Sequence, residues 1–167
     1  MARSNNFDVS DMKGHSGGVW DRATHEKLYG QNLNTGLGWF IVEQLAPKDF
    51  IEFGSGLCGL ANFVGERREL GASYCIEPEV DVPEGGLAPG LELLNVNVLK
   101  GPAPRVLDRL FDLVLSIEVA EHIPHDQHEA LFDFLVSRAG RLIVFSGARP
   151  GQGGHGHVAE RPELEWR

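Results

Sequence analysis

The sequence predicts an α/β domain built on a parallel sheet. Short apolar stretches of strand length alternate along the chain with stretches whose apolar residues recur at helical spacing. The length of 167 residues fits one domain, and a hydrophobic content of 42% suffices for a packed core. Polar clusters directly follow several of the predicted strands, at the edge where sheets of this kind bind ligands.

The N-terminal half begins with a polar, glycine- and serine-rich stretch, 1–18, which we expect to form an arm. The apolar residues between Leu33 and Leu45 predict a helix, and Pro47 lies just past its end. A strand is predicted at 49–53, followed by a helix whose apolar residues begin at Leu57. Two further strands are predicted at 73–76 and, from the alternation of apolar residues with asparagines, at 94–98.

The C-terminal half contains the run "FDLVLSI" at 111–117, which is apolar enough for a parallel strand covered on both faces. Asp126 and Glu129 resemble a capping box at the start of a helix. A fifth strand, "RLIVF", is predicted at 141–145. We therefore expect the main domain to cover 19–150, followed by a Gly/His-rich segment at 151–167.

Composition argues against several classes of partner. The formal net charge is −9, and the densest basic cluster, Arg67-Arg68, is flanked by glutamates. Nucleic acid is therefore an unexpected partner, because a phosphate-tracking groove needs clustered cations. The sequence shows no secretory h-region and no apolar run of membrane-spanning length, which predicts a cytoplasmic protein without membrane contact. Cys58 and Cys75 are expected to be buried, reduced thiols.

A glycine loop follows the first predicted strand in "IEFGSGLCGL", where Gly54, Gly56 and Gly59 form G-x-G-x-x-G. One interpretation is a dinucleotide site, and the 18-residue distance from Gly59 to Glu77 fits it. Glu52 favours a different cofactor, because a carboxylate would repel a pyrophosphate. It would attract the ammonium group of S-adenosylmethionine (SAM).

Several motifs resemble those of the class I SAM-dependent methyltransferases. "IEFGSGLCG" resembles motif I, "YCIEP" the second-strand motif and "FDLVLSIEVAEHIP" the fourth-strand motif. "KGHSGGVWD" and "GQGGHGHVAERPELEW" resemble segments of small bacterial and phage members. The resemblance implies a Rossmann-like sheet of order 3-2-1-4-5 flanked by helices. It also implies transfer of a methyl group from SAM, with S-adenosylhomocysteine (SAH) as product.

The resemblance further implies which residues bind the cofactor. Glu77 would bind the ribose hydroxyls, and Asn97, with Asn95 as the other candidate, would bind adenine in place of the usual acidic residue. The methionine end of the cofactor would be bound by four residues of the first strand and its loop: Glu52, Gly54, Ser55 and Gly56. Trp20 and Tyr29 would lie over the cofactor.

The acceptor is expected to bind near the ends of strands four and five. Glu118, Glu121 and His122 follow strand four, and His122 could act as a general base. Glu118, His122 and His157 are therefore the candidates for acceptor chemistry. His125 and His128 are expected on the surface, and no metal site is predicted because Pro124 interrupts a helix through the three histidines.

His155 and His157 alternate in "GGHGH", so in an extended loop both could face one ligand. The surrounding glycines predict a flexible segment, either an active-site lid or a mobile tail.

The resembling family normally adds an antiparallel hairpin as strands six and seven, which this sequence does not show after 141–145. The fifth strand would then be an apolar sheet edge, and we expect a homodimer or low stability as a consequence. A small-molecule methyltransferase is the predicted function. A SAM- or nucleoside-binding domain without methyl transfer and an NAD-dependent oxidoreductase remain as alternatives.

Overall fold

The computed structural model describes residues 22–29, 34–81 and 85–166. Within these ranges, five strands form one sheet in the order β3-β2-β1-β4-β5, and all neighbouring pairs are parallel. The strands are β1 (Phe50–Phe53), β2 (Ser73–Ile76), β3 (Leu91–Leu94), β4 (Phe111–Ile117) and β5 (Ala139–Ser146). The predicted parallel α/β fold and the strand order 3-2-1-4-5 are thus confirmed.

Helices flank the sheet on both faces. They are α1 (Arg22–Tyr29), α2 (Thr35–Phe40), α3 (Gly59–Gly65) and α4 (His128–Arg138). The Asn34 side chain caps α2 by accepting a hydrogen bond from the Leu37 amide at 3.0 Å. A π-helical turn, Ile41–Leu45, extends α2 and ends where Ala46 adopts a left-handed conformation. None of the helices in the described ranges is both long and apolar enough to cross a membrane.

Two apolar layers cover the sheet because successive side chains of a strand point to opposite faces. Ile51 and Phe53 belong to the layer that packs under α4. Phe50 belongs to the opposite layer, which includes residues of α2 and α3. Both cysteines are buried in that second layer as free thiols, as the sequence predicted.

The predicted position of the third strand is wrong. β3 spans Leu91–Leu94 instead of 94–98, and its last residue pairs with Ile76, the last residue of β2. Because β2 ends there, the following residues have no strand to pair with, and the chain turns. The alternation at 94–98 therefore marks the loop that leaves the carboxyl end of β3.

The capping box predicted at Asp126 and Glu129 is also absent. Pro124 begins a 3-10 turn, His125–Gln127, which places Asp126 inside that turn. The helix α4 begins only at His128, and no side chain caps its start.

β5 is longer than predicted and lies at one edge of the sheet as the structure describes it. Its Ile143 is 37% exposed. The strand thus presents an apolar edge, although the oligomeric consequence expected from it stays a prediction.

Candidate active site

Two loops meet at the point where the sheet order reverses. The chain proceeds from β1 to β2 and β3 on one side and returns through β4 on the other, so the crevice lies beyond the carboxyl ends of β1 and β4. Gly54 follows β1, and a Cβ atom there would lie 2.5 Å from a methyl carbon of Val119, which follows β4. A side chain at residue 54 would force the two loops apart.

The glycine loop is held by the end of β2. The Gly54 amide donates to the Ile76 carbonyl at 2.8 Å, and the Gly56 amide donates to the Glu77 carboxylate at 3.1 Å. The second Glu77 oxygen accepts the Glu79 amide at 3.1 Å. Both glycines have positive φ values, 71° and 51°, which side-chain-bearing residues rarely adopt. The loop is therefore shaped by backbone contacts, with Glu77 as its central acceptor.

Glu52 lies beneath this loop, within β1 rather than at its end, and is only 6% exposed. One of its carboxylate oxygens has no hydrogen-bond partner among the described residues. Burial raises the pKa of Glu52 to about 8, and the charges of Cys58 and Glu77 add to that increase. Burial also raises the pKa of Glu77. Two carboxyl groups that resist ionisation thus lie around the glycine loop, an environment that a cation would stabilise.

His25 is a residue that sequence reasoning missed. It lies on α1 and is 7% exposed, and its Cδ2 atom would be 2.9 Å from a Cβ atom at Gly56. Its charge lowers the pKa of Glu77, although burial outweighs that effect. No motif around His25 distinguishes it, because only folding brings α1 over the loop. Trp20 lies outside the described residues, as does the side chain of Tyr29.

Asn95 and Asn97 both follow β3, where an adenine-binding residue was expected. The Asn95 amide group donates to the carbonyls of Glu77 and Val80, so it braces the loop after β2. The Asn97 side-chain oxygen accepts the Leu99 amide at 3.1 Å. Both side chains therefore have local structural partners, and neither is singled out as the adenine contact.

Glu118 directly follows β4 and has a strained backbone conformation. Its φ of 55° is positive, and its backbone amide donates to the Ser146 hydroxyl at 3.0 Å, which connects the ends of β4 and β5. The exposed Glu118 carboxylate accepts a hydrogen bond from Gln152 at 3.2 Å.

Glu121, His122 and His157 form a cluster at the carboxyl end of the sheet, and we refer to these three residues as the EHH cluster. One ligand-type atom of each lies within 4.8 Å of the others. The two imidazole rings meet edge to face, with centroids 4.9 Å apart. The structure thus brings together His122 and His157, two of the residues predicted to act on the methyl acceptor, and adds Glu121.

Burial dominates the protonation of the EHH cluster. Glu121 is fully buried, and burial raises its pKa to about 7, with a further increase from the charge of Glu118. Burial lowers the pKa of His122 to about 4, so this imidazole is neutral near pH 7.

The segment after β5 is folded against the EHH cluster in this structure, while its flexibility stays a prediction. Glu160 accepts the amides of Gly151 and Gly153 at 2.7 Å each, and the Val158 amide donates to the Glu121 carbonyl at 2.8 Å. The chain turns at 155–156, so His155 and His157 do not alternate in an extended strand. Folding of this segment is what places His157 beside Glu121.

The prediction that His128 lies on the surface is wrong, because its side chain is buried at 3% exposure. Its Nε2 atom lies 2.8 Å from the Ile123 carbonyl and 3.0 Å from the Ala120 carbonyl, so it bridges the turns before α4. His125 is exposed, as predicted. His128 therefore supports the loop after β4, and neither histidine belongs to the EHH cluster.

Solved structures of other proteins share the architecture of this chain. No family model matches the chain, and no curated protein sequence matches it. Among solved structures, the methyltransferase domain of bacterial CtHen1 matches with a TM-score of 0.57 and 16% identity, over 78% of each chain. The N-methyltransferase NodS from Bradyrhizobium japonicum matches with a TM-score of 0.51 and 19% identity, over 75% of this chain and 74% of its own.

A complex of DhpI with SAH matches with a TM-score of 0.55 and 14% identity, over 77% of this chain. The present chain covers 64% of that protein, slightly less than two thirds of its length. At identities this low the likeness establishes architecture only. The chain has the Rossmann-like fold of the class I SAM-dependent methyltransferases.

Proposed function

We propose that this protein is a SAM-dependent methyltransferase that acts on a small-molecule acceptor. The observation that carries the proposal is the buried Glu52 carboxyl group under the glycine loop, one oxygen of which has no hydrogen-bond partner among the described residues. A pyrophosphate beside it would oppose its ionisation, whereas the ammonium group and the sulfonium of SAM would favour it. The similarity of the fold to that of DhpI, whose structure was determined in complex with SAH, supports the same cofactor.

The residues present fit such a cofactor. The Glu52 oxygen without a hydrogen-bond partner can accept from the ammonium group. The backbone at Gly54 and Gly56 carries no side chain, so neighbouring groups such as Val119 and His25 approach it closely, as a bound cofactor would have to. Glu77 would take the ribose hydroxyls, and Asn97 the adenine. When bound, SAM would supply an activated methyl group for in-line displacement.

The acceptor would bind next to the loops after β4 and β5. Glu118, His122 and His157 lie at that end of the sheet and would face the acceptor. Their contribution would be to hold the acceptor in line and to exclude water, which is the main requirement of methyl transfer. The acceptor that we infer for this position is a small molecule.

Titration calorimetry tests the cofactor. SAM and SAH are expected to bind with one site per chain, and NAD to show no heat. Glu52→Gln should weaken SAM binding by at least tenfold, while the exposed control Glu43→Gln should leave it unchanged. Binding of NAD without binding of SAM would overturn the proposal.

A turnover assay then distinguishes a methyltransferase from a domain that only binds SAM. Conversion of SAM to SAH, followed by mass spectrometry in the presence of a pool of small acceptors, should reveal an acceptor heavier by one methyl group. Tight SAM binding without turnover on any pool would favour the alternative of a binding domain that transfers nothing.

A further inference from the structure

We propose that the EHH cluster is a binding site for a first-row divalent transition-metal cation. The ligands would be one carboxylate oxygen of Glu121 and one imidazole nitrogen each of His122 and His157. The site stands at the acceptor end of the sheet but does not depend on the proposed methyl transfer.

The first support is the state of Glu121. It is fully buried, and neither of its carboxylate oxygens has a hydrogen-bond partner among the described residues. The nearest cationic candidate, His157 Nε2, lies 3.9 Å from Oε1, which is too long for a hydrogen bond. The backbone amides of Glu121 and Ala148 and the charge of His157 favour the carboxylate only in part, because burial outweighs them. A bound cation would offset the remaining cost of burying this group.

The second support is the spacing of the donors. One donor atom from each residue lies within 4.8 Å of the other two. Ligands at about 2.0 to 2.2 Å from one metal ion lie roughly 3 to 3.5 Å apart. Small side-chain rotations that bring the donor atoms closer together by up to about 2 Å therefore suffice to place all three in one coordination sphere.

The third support is the outer hydrogen bonding of both imidazoles. His157 Nδ1 lies 3.0 Å from the Glu160 carboxylate, and His122 Nδ1 lies 3.1 Å from the Gly156 carbonyl. Each Nδ1 thus faces an acceptor, which places its proton there and leaves the lone pair on Nε2. Metal-binding histidines are oriented in this manner, by a carboxylate or a carbonyl at the second nitrogen.

The donor set also indicates the class of metal. Two imidazoles and one carboxylate suit zinc, manganese or iron(II), whereas magnesium and calcium prefer oxygen ligands. Glu160 acts as a positioning residue in this arrangement, because it holds both the His157 ring and the amides of Gly151 and Gly153. Cation binding should therefore tighten the segment after β5.

The test is calorimetry of the metal-stripped full chain with zinc, manganese and magnesium chloride, with manganese binding also followed by electron paramagnetic resonance. We expect one zinc or manganese ion per chain, binding at least tenfold more tightly than magnesium, and a higher melting temperature. Glu121→Gln and His157→Gln should each weaken zinc binding at least 100-fold. Glu160→Gln should weaken it about 10- to 100-fold. His125→Gln, which changes an exposed histidine outside the cluster, should have no effect.

Unchanged stoichiometry and affinity in Glu121→Gln would overturn the proposal, as would the absence of zinc and manganese binding to the native chain. Circular dichroism of each variant checks the fold, and Glu121→Gln keeps the shape of the side chain if His157→Gln fails to fold. SAM titrations on the same samples separate the two ideas. Metal binding without SAM binding would refute the proposed function alone, and SAM binding without metal binding would refute the metal site alone.

Discussion

The Gly56 amide donates a hydrogen bond to the Glu77 carboxylate across 3.1 Å, and this contact ties the glycine loop after β1 to the end of β2. The contact requires Gly56 at a φ of 51°, with the His25 ring directly above it. The loop conformation, the second strand and α1 are therefore mutually dependent.

Gly56→Ala should disturb this arrangement. The methyl group would meet the His25 ring at 2.9 Å, and a left-handed conformation costs an alanine about 1 to 2 kcal/mol. We expect the free energy of unfolding to fall by at least that amount and SAM affinity to fall with it. Gly101→Ala is the matched control, since a Cβ atom there meets nothing within 4 Å. Equal behaviour of the two variants in urea denaturation would contradict the account of the loop.

Glu52 should make stability depend on pH. Its pKa is raised from 4.5 to about 8 in the folded protein, so the folded state binds more protons than the unfolded state between these values. Stability should therefore fall as pH rises from about 4.5 to 8, by a contribution on the order of 4 kcal/mol. Urea denaturation across this range should show a steeper decline for the native chain than for Glu52→Gln. Identical pH profiles would mean that Glu52 is already ionised.

Trp166 should anchor the segment after β5. It is 8% exposed, its indole nitrogen donates to the Ala148 carbonyl at 3.1 Å, and its ring packs beside Phe145 and His128. Trp166→Ala should lower the free energy of unfolding by about 3 kcal/mol. The nearby Leu164→Ala should change it by less than about 0.5 kcal/mol, because Leu164 is 77% exposed. Thermal unfolding of the two variants measures the difference, and a small effect of Trp166→Ala would show that the anchor lies elsewhere.

β5 should promote self-association through its apolar edge. A charge on an edge strand discourages pairing with a second copy. Ile143→Lys is therefore expected to shift a dimer towards monomer in light scattering, while Val136→Lys, the same change on the exposed surface of α4, should not. A native chain that remains monomeric at high concentration would refute this prediction.

Local sequence patterns were sufficient to predict most strands of the sheet. Four of the five strands, including "FDLVLSI", lie where mostly apolar runs of strand length predicted them. Parallel strands that are covered on both faces, as β1, β2 and β4 are, must be mostly apolar. The position of β3 could not be predicted in the same way. Its end is decided by where β2 ends, and the alternating residues at 94–98 resemble a strand only as long as no partner is considered.

The residues of the candidate site also fall into two groups: those that the sequence predicts and those that only the tertiary structure brings together. By itself, the sequence determined the glycine loop, the acidic residues before and after it, and the histidines of the C-terminal half, because these depend on residue type and short spacing. Only the tertiary structure placed His25 over Gly56, buried His128 and brought His157 to Glu121 across 36 residues of chain. Those placements depend on burial and on long-range hydrogen bonds such as those of Glu160, which exist only once the sheet has brought its loops together.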